Sequence, residues 1–174
     1  MEECWQANDY AMEMQQVAPD VFLPFCYVNP MYPEDSVAEI DRCVGEGKMC
    51  GIKLWVARRA TDPGLDPILE RAVELDVPIL QHAWIKTTGN LVGESFPADV
   101  ADLARRYPEA KIVMAHLNGV GLRGIEDVAD CPNIVVDTSG GDPESGMVEV
   151  AVEVLGADRV VYGSDAPIRH FGGS

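Results

Sequence analysis

Short apolar runs alternate along this chain with segments whose apolar residues recur every three or four positions. Six runs read as strands: 21–30 (VFLPFCYVNP), 50–56 (CGIKLWV), 77–84 (VPILQHAW), 111–117 (KIVMAHL), 133–139 (NIVVDTS) and 159–165 (RVVYGSD). They are continuous rather than strictly alternating, the pattern of parallel strands buried on both faces. Helices are predicted between them. In 33–47, Pro33 suits a first-turn position and Val37, Ile40 and Val44 share a face. In the next, Asp66 is the expected cap, and Leu69, Ala72 and Val73 form one stripe. The helix over 97–108 turns Val100, Leu103, Ala104 and Tyr107 inward, and 124–130 and 143–156 supply two more. Residues 1–20, with Trp5, Tyr10, Met14 and Val17, predict a helix ahead of the first strand.

Strands separated by helices at these intervals give a parallel α/β architecture. Two forms compete, a doubly wound open sheet and a (β/α)8 barrel. An open sheet that binds nucleotides carries a glycine-rich loop after its first strand, and YVNPMYPED has none. Polar residues instead recur at the C-terminal ends of several strands, where a barrel places its active site. The expected fold is an incomplete (β/α)8 TIM-type barrel in a single domain over 1–174, with about six parallel units. A full barrel has eight and runs to about 250 residues.

Composition narrows the partners. The net charge of −16, from 29 acidic and 13 basic residues, disfavours nucleic acid and anionic membrane, which need clustered Lys and Arg. No apolar run approaches the roughly 18 residues needed to span a bilayer, and Glu2-Glu3 after Met1 is unlike a secretory leader. The expectation is therefore a cytoplasmic protein. Five cysteines, an odd number with no CxxC pair, predict reduced thiols rather than a disulfide framework.

The chain has only three histidines. His82 ends PILQH and His116 ends IVMAH, so two occupy matching strand ends; Asp165 ends VVYGSD. A single strand-end histidine is commonly structural, and an aspartate there is commonly a helix cap. Three such groups facing one mouth favour a shared site. Imidazole and carboxylate are the usual ligands of a catalytic zinc, which activates water at neutral pH. About three protein ligands are needed. His82 and Asp165 are two; either His116 is the third or one is missing. Lys53 in GIKLW is buried by context and so must be neutralised, paired or functional. Trp55 and Trp84 could wall a pocket or pack the core. Arg58 and Arg59 could fork onto a substrate carboxylate or simply be solvated. The polar loop 85–95 could be a lid or wall with Lys86 reaching inward. His170 and the terminal HFGGS carry no readable motif.

In this order and spacing, GIKLW, PILQHAW, IVMAHLNG and VVYGSDAP resemble the amidohydrolase-2 branch of the metal-dependent hydrolases. That branch includes decarboxylases related to aminocarboxymuconate semialdehyde decarboxylase. The resemblance covers essentially the whole chain. It implies a (β/α)8 barrel with one divalent metal, most often zinc. It further implies His82 as a metal ligand at the end of the fifth strand and His116 beside the metal as acid, base or electrophile. Asp165 would be both ligand and proton relay at the end of the eighth. By that alignment the chain holds strands three to eight. Two features depart from the family pattern: the sequence has no H-x-H pair, which the family carries on its first strand, and Asn118 stands where glycine is usual.

The leading expectation is a metal-dependent hydrolase of a small amide, ester or lactone, with Lys53, Trp84 and Lys86 binding substrate. The alternatives are a non-hydrolytic decarboxylase of an unsaturated or aromatic acid, and an inactive truncated barrel that only binds or packs. A chain with open sheet edges is also expected to be a candidate for homo-oligomerisation.

Overall fold

The computed structural model describes residues 1–141 and 145–168. His170 and HFGGS lie outside them. All six strands are present and parallel in one sheet, in chain order β1 to β6: β1 Phe25–Tyr27, β2 Gly51–Leu54, β3 Ile79–His82, β4 Ile112–Ala115, β5 Ile134–Asp137 and β6 Val160–Val161. Among the described residues, six helices alternate with them: α1 Glu2–Val17, α2 Pro33–Ile40, α3 Asp66–Glu74, α4 Pro97–Arg106, α5 Leu117–Val128 and α6 Met147–Leu155. Six consecutive β/α units in a parallel sheet are the architecture of a TIM barrel, incomplete by two.

The core lies between sheet and helices. Ile52, Leu54, Ile79, Ile112, Met114, Ile134 and Val136 come from the strands and meet Ile40, Leu69, Leu103, Ile125 and Ala151 from the helices. Each fully buried aliphatic side chain contributes about 1.5–3 kcal/mol. Prolines start three of the helices, at or next to their first residue: Pro33, Pro67 and Pro97. Their missing N–H costs nothing there. Asp66 is the first residue of α3 rather than its cap; the preceding turn is capped by Asp62, which accepts from Gly64 N at 2.8 Å.

Three differences from the sequence pattern have physical causes. First, α1 forms, but Tyr10 and Val17 point outward, 64% and 78% exposed. Its buried face carries Cys4, Asn8 and Gln15. Asn8 Nδ2 donates to Tyr27 O at 3.0 Å, and Asn8 Oδ1 accepts from Tyr27 N at 2.8 Å. A helix side chain thus takes the place of a strand partner at this point of the β1 edge, where unpaired backbone is otherwise exposed. Second, α5 starts directly after His116 instead of at 124. It passes through a non-helical Gly121 with φ 61°, a conformation that glycine adopts without penalty. Third, β6 ends at Val161, so Asp165 sits four residues beyond the strand. Here Gly163 lies so close to Asp137 that a Cβ would approach its Cγ to 2.9 Å.

No helix among the described residues is long and apolar enough to cross a membrane. All five cysteines are free thiols.

Candidate active site

Parallel register brings the polar strand ends together. His82 pairs with Ala115 across β3 and β4, which places His116, the next residue, beside it. Asp137 ends β5. Lys53, one residue before the end of β2, pairs with Leu80. These groups lie at the C-terminal mouth of the sheet. A cavity of about 340 Å³ there is lined by Lys53, His82, His116 and Asp165, with Tyr27, Trp55 and Trp84 as aromatic walls. The sequence-derived set therefore converges on one cavity. Asp165 has φ 54°, a left-handed conformation that aspartate tolerates better than most residues.

The imidazoles are fixed on every side. His82 Nδ1 and His116 Nε2 are 3.2 Å apart. His82 Nε2 meets Glu94 Oε1 at 2.9 Å, and His116 Nδ1 meets the Ser139 hydroxyl at 2.5 Å. Ser139 in turn donates its backbone N–H to Asp137 Oδ1 at 2.9 Å, with its hydroxyl on the same oxygen. Trp84 lies nearly parallel to the His82 ring, 6.1 Å between centroids, and tilts against His116 at 5.3 Å.

Three of these partners are absent from the sequence expectation. Glu94 is carried by loop 85–96, which has no periodicity to betray it. Asp137 and Ser139 did have a signal: NIVVDTS ends an apolar strand on polar residues, as the histidine strands do.

Charge in the site is uneven. Burial pulls the Lys53 ammonium down to about 8, against the pull of Asp137 and Asp165. Burial pushes the Asp137 carboxyl up, although Ser139 and Lys53 oppose it. It also pushes the His82 imidazole down, in spite of Glu94. For Glu94, burial acts upward but is outweighed by hydrogen bonds from Lys86, His82 and Leu91, so the carboxyl is held low.

Lys86 lines the cavity, but its ammonium is on Glu94 at 2.8 Å. Loop 85–95 is thus a wall, tied down by Lys86 and by Asn90, whose Nδ2 donates to Trp84 O at 2.7 Å. Arg59 forks onto Asp99 at 2.8 and 2.9 Å, and Arg58 pairs with Asp62 at 3.0 Å. Neither arginine lines the cavity.

The donors present do not by themselves fit a resident metal ion. Among the described residues no three His, Cys, Asp or Glu side chains converge as a metal site. Both nitrogens of His82 are already engaged, by His116 and Glu94.

The amidohydrolase family model matches residues 1–174. The chain belongs to the amidohydrolase family. No curated protein matches it. Among solved structures, this amidohydrolase chain is similar to 2,6-dihydroxybenzoate decarboxylase from Rhizobium. The TM-score is 0.75 at 20% identity, covering 97% of this chain and 68% of that one. It is also similar to a dihydroxybenzoic acid decarboxylase from Polaromonas sp. JS666 with bound manganese (TM-score 0.72, 20% identity, 98% and 66% covered). A TIM-barrel protein from Bordetella bronchiseptica gives a TM-score of 0.79 at 16% identity, with 93% and 60% covered. The chain thus spans about two thirds of the length of these structures, and the likeness establishes the barrel fold.

Proposed function

We propose that this amidohydrolase chain carries the site of a non-hydrolytic decarboxylase acting on an aromatic carboxylic acid. The observation behind this reading is Lys53, a half-buried cation that lines the same cavity as Tyr27, Trp55 and Trp84. A planar anion suits such a pocket. Aromatic walls bury its ring, and the ammonium pairs with its oxygens more strongly than it would in water. The similar solved structures include decarboxylases of dihydroxybenzoates, which supports the choice.

The chain's own residues account for binding and proton transfer. Lys53 orients the acid. The bond between ring carbon and carboxylate breaks and CO2 leaves, its electron pair staying on the ring carbon. His116 or Asp165, both at the cavity, delivers the proton that this carbon takes up. No oxidant or water is consumed.

Hydrolysis of an amide, ester or lactone is the second reading, favoured by the family to which the chain belongs. It would use the same groups to activate water. Zinc, expected from the sequence resemblance, has no specific support; manganese is the metal bound in the Polaromonas decarboxylase.

Product analysis tests the choice. The chain is incubated with carboxyl-labelled 2,6-dihydroxybenzoate and, separately, with aryl esters and amides, with and without added manganese or zinc. Release of labelled CO2 with formation of resorcinol is expected. Ester or amide cleavage without CO2 release would overturn the decarboxylase reading in favour of hydrolysis. Failure to turn over any of them would count against both.

A further inference from the structure

The cavity that Lys53 lines changes character along its wall. Its polar residues His82, His116 and Glu94 are buried. Three apolar residues that line the same cavity are exposed instead: Trp55 at 51%, Leu91 at 60% and Ile168 at 76%. The cavity thus runs from a buried polar end to an open apolar rim. A carboxylate paired with Lys53 accounts for the polar end alone.

Leu91 is open to water although its backbone is held. Its N–H donates to Glu94 Oε2 at 2.8 Å, and its carbonyl accepts from Glu94 N at 3.0 Å. Beside it, Asn90 Oδ1 accepts from Lys86 N at 3.0 Å. On its other side, Gly93 packs so closely on Ala57 O that a Cβ would come within 2.5 Å. That approach sets the loop against the segment that follows Trp55. A large apolar side chain fixed in this way and left in water gains nothing from the fold. An exposed apolar patch rimmed by polar groups marks a surface that a ligand covers. Here the patch lines the same cavity as Lys53, so the molecule that fills the cavity is the one that reaches it. The volume of about 340 Å³ falls within the roughly 300–1,000 Å³ of pockets that enclose drug-sized ligands, which leaves space beyond a single benzoate ring.

We propose that the cavity selects an aromatic acid bearing an apolar substituent, such as a short alkyl chain, on the ring carbon opposite the carboxylate, and that Leu91 and Trp55 determine this preference. With the carboxylate at Lys53, that carbon points away from the buried end. The substituent then lies against Leu91 and the Trp55 indole, and each methylene it buries there raises affinity by up to about fourfold. The acid in this inference rests on the decarboxylase reading, whereas the apolar rim does not.

The test is calorimetric titration of the whole chain with benzoate and its 4-methyl, 4-ethyl and 4-propyl homologues, and with the matching neutral benzamides. Affinity for the acids should rise by about two- to fourfold for each added methylene. Leu91→Ser should flatten this rise. Val92→Ser, which alters a fully exposed neighbour that does not line the cavity, should keep it. Equal affinity along the acid series in the wild-type chain would overturn the proposal, as would an unchanged rise in a folded Leu91→Ser variant. Sedimentation is run at the same concentrations. A wild-type dimer that becomes monomeric in Leu91→Ser would also overturn it, because a second copy would then cover the rim. The benzamides keep the two failures apart. A rise with chain length in acids and amides alike, with no preference for the acid, would retire the carboxylate reading and uphold the rim. Acids that bind more tightly than amides but without the rise would retire the rim and uphold the carboxylate. Binding of none of these compounds would overturn both.

Discussion

Glu94 and His82 are held together by a 2.9 Å contact that closes loop 85–96 over the end of β3. Glu94 is 1% exposed, and a buried carboxylate persists only where it is paired and hydrogen-bonded. Its outer partner, Lys86, is the part of this arrangement that reaches solvent. Lys86→Ala leaves the carboxylate buried with one fewer donor and should cost about 2 kcal/mol. Glu94→Gln keeps the shape and an acceptor and should cost less. Urea denaturation of the two variants gives the order directly.

Lys53 carries a stability signature of its own. Its ammonium titrates near 8 in the folded chain, against an ordinary value of 10.5. Between those values the unfolded chain binds the extra proton, so stability rises with pH across that interval. Lys53→Met should remove this rise and make the protein more stable than wild type at pH 7. Thermal melts from pH 7 to 10.5 check it. An equal slope in both proteins would mean that Lys53 is not desolvated.

Asp137 should behave in the opposite sense. Burial raises its carboxyl above 3.8, so the folded chain binds the extra proton above that pH. Stability then falls as pH rises from about 4 through the raised value. Asp137→Asn should flatten this fall, which melts between pH 4 and 7 would reveal.

Asn8 guards one sheet edge. Asn8→Ala removes both hydrogen bonds to the Tyr27 backbone and leaves a buried strand edge unsatisfied. A loss of about 1–3 kcal/mol is expected, together with concentration-dependent association through β1. Light scattering against concentration separates the variant from wild type.

Much of this molecule was legible in its sequence, for reasons that differ by element. Strands β2 to β5 were readable because an apolar run buried on both faces leaves no ambiguity. The convergence of His82, His116 and Asp165 followed from parallel strands, which put every C-terminal end at one mouth. The α1 face was not readable. Asn8 and Gln15 are buried there by hydrogen bonds to backbone, and no hydropathy pattern signals that. Glu94 was hidden because its contact with His82 comes from a loop. Asp137 and Ser139 were in view in NIVVDTS but lacked the rarity that made the histidines conspicuous.

Calorimetric titration of the chain with a hydroxybenzoate shows whether the cavity lined by Lys53 receives an aromatic carboxylate. Saturable binding at one site is expected. Lys53→Met should weaken it at least tenfold while leaving the circular dichroism spectrum unchanged. Binding of equal strength to wild type and to a folded Lys53→Met variant, or no binding to the wild-type chain, would contradict it.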